Sequence, residues 1–145
     1  HISQKKAIYE RYKEGLKDLP VKMNPIDFEK SLPNYWLSCM LIDREAMCRQ
    51  VRDDNRALYQ KERRGTTCPT EILEAISSIN AEGRPIWKPM HMQPLYADND
   101  FIYIEENPVD EDIFAWGLCL PSDIKMTVDE QDHVIDVIHA CFKED

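Results

Sequence analysis

The sequence predicts an α+β domain, a small antiparallel or mixed sheet of about three strands with helices packed on one face. Three observations lead there. Three stretches carry apolar residues at helical spacing, within 3–17, 66–83 and 127–142. Two short apolar runs, NYWLSCMLID (34–43) and GLCLPS (117–122), read as strands. Between them lies RPIWKPMHMQP (84–94), whose three prolines forbid a helix interior and leave an extended piece.

Taken in order, Ala7, Ile8, Tyr12 and Leu16 share one face of the first helix, and Leu19-Pro20 ends it. Residues 20–33 hold three prolines and read as an extended connection. In 34–43 both alternating sets are mostly apolar, so a strand at 35–42 is covered on both faces or nearly so. Arg and Asp dominate 43–65, and Ala46, Met47 and Val51 permit a short helix or an irregular excursion. The next helix is clearer. Pro69 suits its first turn, where a missing donor is harmless. Glu71 sits in the positive first turn, and Ile72, Leu73, Ile76 and Ile79 form its stripe. Gly83 is placed to stop it in a left-handed conformation.

A strand is expected at 85–89, with Ile86 and Trp87 anchoring it in the core. Residues 96–113 are acidic around Phe101–Ile104, which predicts a small strand or hairpin within a solvated loop. A strand at 117–121 follows, closed by Pro121. The last helix opens with a capping box, Thr127 with Glu130 three residues on, and buries Val134, Ile135, Ile138, Cys141 and Phe142.

Composition narrows the function. The chain has 145 residues and a net charge of −9, which argues against a broad basic face for nucleic acid or an anionic membrane. No apolar run approaches the roughly 18 residues of a membrane span. The N-terminus is polar and charged, unlike a signal peptide. Five cysteines at wide spacings form no CxxC pair, which argues against a zinc site and for reduced thiols in a cytoplasmic setting. With four glycines and no glycine-rich phosphate motif, the chain is not expected to hold a nucleotide or cofactor phosphate on its own helix N-terminus. Cys68 has no assignable histidine partner and reads as structural. His133 and His139, six apart on the last helix, read as surface residues.

The segment 84–94 is the one candidate for chemistry. In extended backbone Arg84, Ile86 and Lys88 share one side, with Trp87 and Pro89 on the other. Arg84, Lys88 and His91 together suit a phosphate or carboxylate, and the Trp87 indole could stack on a base or sugar. The alternative is a proline-bounded edge strand with solvated cations.

RPIWKPMHMQP resembles a segment in the C-terminal part of the DegT/DnrJ/StrS-type sugar aminotransferases, which use pyridoxal 5'-phosphate (PLP). NYWLSCMLID, CPTEILEAISSINAEG and GLCLPSDIKMTVDEQDHVIDVI agree in order and spacing, and YERYKEGL is similar to the family's interdomain helix. The resemblance implies the C-terminal small domain of a fold-type I PLP enzyme, with 1–20 as the interdomain linking helix and 21–145 as the domain. The chain opens at His1 already in helical pattern and without Met, so it is expected to be cut from a longer protein or to begin there by design. The family's large N-terminal domain supplies most of the PLP site, including the Schiff-base lysine. Lys88 lacks the Ser-x-x-Lys context of that lysine, so the chain alone is expected to be inactive and to contain no catalytic residue. The whole enzyme would move an amino group from an amino acid, glutamate in the leading case, to a nucleotide-linked keto-sugar.

By the same resemblance His91, in a His-x-Gln-Pro element, lies at the active-site mouth, with Arg84, Trp87 and Lys88 leading into it and Tyr96 beginning the substrate-side loop. Family sites form between two subunits, so a homodimer is implied. Trp116 stands where the family usually has a basic residue, and Asp123 where glycine is common. A non-catalytic binding or dimerization module that kept the fold is the alternative.

Overall fold

In the computed structural model, which describes residues 1–52, 57–104 and 108–143, the chain runs α1 (Ile2–Gly15), β1 (Val21–Met23), β2 (Ser38–Ile42), β3 (Arg49–Arg52), β4 (Ala57–Gln60), α2 (Pro69–Ser78), β5 (Arg84–Pro85), α3 (Val109–Trp116), β6 (Gly117–Leu120) and α4 (Val128–Phe142). The expected α+β class holds. The main sheet has four strands, in the order β1-β2-β6-β5, and every pairing is antiparallel. A separate hairpin pairs β3 with β4.

Side chains alternate across the sheet. Met40 and Ile42 of β2 point with Leu118 and Leu120 of β6 into the main core. There they meet Tyr12 and Leu16 of the α1 region, Ile72 and Ile76 of α2, and Ile135 and Ile138 of α4. Leu41, Cys39, Gly117 and Cys119 alternate to the opposite face. A Cβ built on Gly117 would lie 2.5 Å from the Ile113 carbonyl oxygen and 2.8 Å from Ile86 Cγ1. So α3 and Ile86 cover that second face, where only one-sided helix packing was expected.

Buried polar groups tie α1 to the sheet and to α4. Tyr12 is fully buried, and its hydroxyl donates to the Pro121 carbonyl at 2.8 Å. Burial pushes that phenol well above its ordinary value, so it stays protonated and remains a donor. Gln131 Nε2 donates to the Ile8 carbonyl at 2.8 Å, and Arg11 forms a two-pronged pair with Asp132. Tyr9 is buried where Ala7 was expected, and its hydroxyl reaches the Asn24 carbonyl at 2.7 Å. His139 is not a bystander on the surface: its Nε2 lies 2.8 Å from the Gly15 carbonyl, one of the acceptors that a helix end leaves open.

Several sequence expectations need correction. The connection at 20–33 contains β1, paired with β2 from Val21 opposite Ile42 to Met23 opposite Met40. The excursion at 43–65 is one 3₁₀ turn, Arg44–Ala46, followed by the β3–β4 hairpin. Asn80 (φ 59°), not Gly83, takes the left-handed position after α2. Asparagine tolerates that conformation because its side chain can bond locally. Gly83 is needed for space instead, since a Cβ there would sit 2.8 Å from Leu73 Cδ2 and 3.1 Å from the Cys119 carbonyl oxygen. Residues 101–104 form no strand; they lead toward α3, which the acidic composition concealed.

Two predictions follow from this packing. Gly117→Ala pushes a methyl into a backbone carbonyl and should destabilise by about 1–3 kcal/mol in urea unfolding; an unchanged midpoint would mean that the second face is not closed. The capping box gives a pH signature. The Thr127 backbone N–H donates to Glu130 at 2.7 Å and the Thr127 hydroxyl at 2.9 Å, and these bonds hold the carboxyl below its usual 4.5. Because the folded value is depressed, this stabilisation is complete above the unfolded value and fades as pH falls through the folded one. An acid titration of Glu130→Gln should lack that component, whereas a superimposable acid limb would refute the linkage.

Candidate functional site

The segment 84–96 is carried by the outer edge of β6. Arg84 pairs with Cys119 and Pro85 with Leu118, and there the strand ends. Pro85 has no N–H to extend a ladder, so the chain leaves the sheet after two residues instead of continuing to 89. Ile86 tucks against Gly117. Trp87 is 64% exposed, contrary to a core anchor, and lies beside the equally exposed Trp36 with ring centroids 6.1 Å apart. Pro89 is buried and precedes two 3₁₀ turns, Met90–Met92 and Pro94–Tyr96. Gln93 Nε2 closes the first turn on the Lys88 carbonyl at 3.2 Å.

His91 is the best-held side chain of the segment. Its ring stacks on Phe101, with centroids 3.6 Å apart and planes 13° from parallel. Nε2 lies 2.8 Å from Glu111 Oε1, and Nδ1 lies 3.6 Å from Asp110 Oδ2. Its side chain is 17% exposed. The two carboxylates come from the first turn of α3, where Asp110, Glu111 and Asp112 complement the positive end of the helix. His91 therefore clamps the turn at 90–92 onto α3.

The three cations expected to converge do not. Arg84 is exposed and pairs with Glu82 at 2.9 Å. His91 is committed to α3. Lys88 is half-buried, and its ammonium has no hydrogen bond or ion pair among the described residues. Tyr96 stands one turn further on, and no hydrogen bond, ion pair or ring contact joins it to the other four among the described residues. A shallow concavity of about 480 Å³ adjoins His91, lined by residues 101–104 and 108–110. A cleft of about 440 Å³ between α1 and residues 21–28 contains none of the five candidates.

Sequence reasoning missed Glu111, Asp110 and Phe101, the partners that fix His91, and Trp36 beside Trp87. Val109, Ile113 and Trp116 recur at i, i+4 and i+7, and that spacing would have revealed α3 beneath the acidic composition.

Among the described residues, the starts of α2, α3 and α4 do not fit the phosphate of PLP. A phosphate needs convergent donors, often at a helix N-terminus. The first turns of α2, α3 and α4 all carry carboxylates, Glu71 in α2, Asp110 to Asp112 in α3, and Asp129 and Glu130 in α4. Among the described residues no group of three or more His, Cys, Asp or Glu could hold a metal ion, and no helix is long and apolar enough to cross a membrane.

The sequence model of the DegT/DnrJ/EryC1/StrS aminotransferase family matches residues 56–139. EpsN of Bacillus subtilis (strain 168), assigned as a pyridoxal phosphate-dependent aminotransferase, is 32% identical over 144 residues. That alignment takes in 97% of this chain and 31% of EpsN, so the chain spans about a third of the relative's length. Among solved structures, DesI in the presence of its TDP-sugar product superposes with a TM-score of 0.73 at 19% identity, over 99% of this chain and 31% of that one. A DegT DnrJ EryC1 StrS aminotransferase from Brucella abortus gives a TM-score of 0.70 at 17% identity, over 99% and 32%. At those identities the superpositions establish the fold.

The His91 clamp is testable by a double-mutant cycle with His91→Ala and Glu111→Ala. A coupling energy of about 0.5–2 kcal/mol in unfolding free energy is expected for a direct, partly buried pair. Strict additivity would show that the contact carries no energy.

Proposed function

The chain belongs to the DegT/DnrJ/EryC1/StrS aminotransferase family, and from that premise we propose that it serves as the C-terminal small domain of a PLP-dependent sugar aminotransferase. The whole enzyme transfers an amino group from an amino acid, glutamate in the leading case, to a nucleotide-linked keto-sugar in the cytoplasm. The observation that carries this reading is the extent of the match: nearly all of this chain aligns with about a third of EpsN. Residues 1–20 form the interdomain connection and 21–145 the small domain. A large N-terminal domain and a second subunit complete the active site.

PLP, when bound, supplies the electron sink for amino transfer. The acidic helix starts described above make this chain a poor host for its phosphate, so no step is assigned to residues here acting on the cofactor. In this reading the chain's part is binding and orientation. The β5–β6 pairing and the His91–Glu111 contact fix the backbone at 84–96. That fixed backbone carries the half-buried Lys88 and the exposed Trp87, an ammonium to meet phosphate oxygens and an indole to cover a base or sugar face. His91 acts as a positioning residue for this segment. Arg84 and Tyr96 contribute at its two ends.

In the full-length enzyme, Lys88→Ala should raise KM for the nucleotide-sugar about tenfold, the loss of one charge-assisted bond. KM for the amino donor should stay within about twofold. Equal increases for both substrates would contradict the assignment. The 145-residue chain mixed with PLP and borohydride should give no stoichiometric lysine adduct. Trapping at a single lysine would show that the chain holds its own cofactor.

A further inference from the structure

Cys39 and Cys119 face each other directly across β2 and β6, one on each of the two central strands. Their sulfurs are 3.7 Å apart. The position within the ladder matters. Cys39 spends its backbone groups on the β1 side: its N–H donates to Asn24 Oδ1 at 3.0 Å, and its carbonyl accepts from the Asn24 N–H at 2.9 Å. In an antiparallel sheet both groups of a residue point the same way, so Cys39 and Cys119 form a non-hydrogen-bonded pair. At such a pair the Cα atoms stand about 4.5 Å apart and the side chains are closest, which lies within the span a disulfide bridges.

The surroundings differ from those of the other cysteines. Arg84 lies opposite Cys119 on the far side of β6, so a guanidinium shares the face of the two thiols. Cys119 is held below the ordinary thiol value by its hydrogen-bonding contact with Cys39 and by Arg84, and Cys39 is pushed up by the same contact. Of the two thiols, Cys119 is therefore the one that gives up its proton more readily. Cys48 and Cys141 go the opposite way, pushed up by burial to about 12 and about 11. Cys119 is 4% exposed and Cys39 is half-buried, so the pair excludes bulky reagents and admits small ones.

We propose that Cys39 and Cys119 form a hydroperoxide-reactive dithiol site that closes to a cross-strand disulfide. The Cys119 thiolate attacks the terminal oxygen of a hydroperoxide. The S–O bond forms, the O–O bond breaks, and the alcohol leaves after taking a proton, so that Cys119 becomes a sulfenic acid. Cys39 sulfur then attacks Cys119 sulfur. The S–S bond forms, the S–O bond breaks, and hydroxide departs as water with the proton of Cys39. Two thiols and one hydroperoxide give one disulfide, one alcohol and one water. Arg84 acts through Cys119 as a positioning charge.

The test is to treat the full-length protein with tert-butyl hydroperoxide and with hydrogen peroxide, then map thiols and disulfides by mass spectrometry without reduction. The expected product is a linked Cys39–Cys119 peptide pair that forms before Cys48, Cys68 or Cys141 is consumed. Cys39→Ser should abolish the link and leave a sulfenic acid on Cys119 that dimedone traps when it is added together with denaturant. Arg84→Gln should slow thiol loss roughly threefold or more, and Arg84→Lys should restore most of the rate. Far-UV circular dichroism confirms that each variant is folded. Both thiols remaining free, consumption of all five cysteines at one rate, or the same rate in Arg84→Gln as in the native protein would overturn the proposal.

Discussion

Four successive antiparallel pairs join β2 to β6, from Ser38 opposite Leu120 to Leu41 opposite Gly117. A slip of one residue between these strands would turn one strand's core set, Met40 and Ile42 or Leu118 and Leu120, out of the core and put Cys39 and Leu41, or Gly117 and Cys119, in its place. The first set is buried under α1, α2 and α4; the second must leave room for α3 and Ile86. Gly117 cannot serve the core and no larger residue can serve its own position, so the register has one solution. The placement of every helix follows from it.

The same ladder decides where the candidate site begins. β6 offers its outer edge to whatever follows α2, and Gly83 lets the chain come close enough to use it. Pro85 then ends the pairing, which frees the backbone beyond it from the sheet. A free segment would be mobile without a second fixed point. The His91 ring, held between Phe101 and the first turn of α3, provides one. Between these two points stand the exposed Trp87 and the half-buried Lys88. An acidic helix start thus has a structural use that solvation alone would not give it.

What could be read from the sequence was what local chemistry determines. Pro69 and the Thr127–Glu130 box marked helix starts because missing donors and orphan N–H groups leave plain signs. The apolar runs at 34–43 and 117–122 marked the central strands because both of their faces are covered. The failures have a common cause in long-range pairing. β1 is three residues long among prolines, and only its partner β2 makes it a strand. Trp87 looked like core because tryptophan is large and apolar, yet nothing local fixes the side on which it emerges. His91, Lys88 and Arg84 looked like one cationic cluster because they are close in sequence. Glu82 and Glu111 divert two of them, and neither pairing follows from spacing alone.

The likeness to a family of larger proteins gives this geometry its meaning. A domain whose α2, α3 and α4 starts are acidic, and which fixes the segment 84–96 at two points, is suited to the proposed role of completing a site built mostly by other chain segments. The most direct measurement is hydrogen–deuterium exchange on the full-length protein with and without a nucleotide-sugar. The account predicts that, within this domain, added protection concentrates in residues 84–96, with the β2–β6 amides already protected and unchanged. Protection centred on the cleft between α1 and residues 21–28, with 84–96 unaffected, would contradict it.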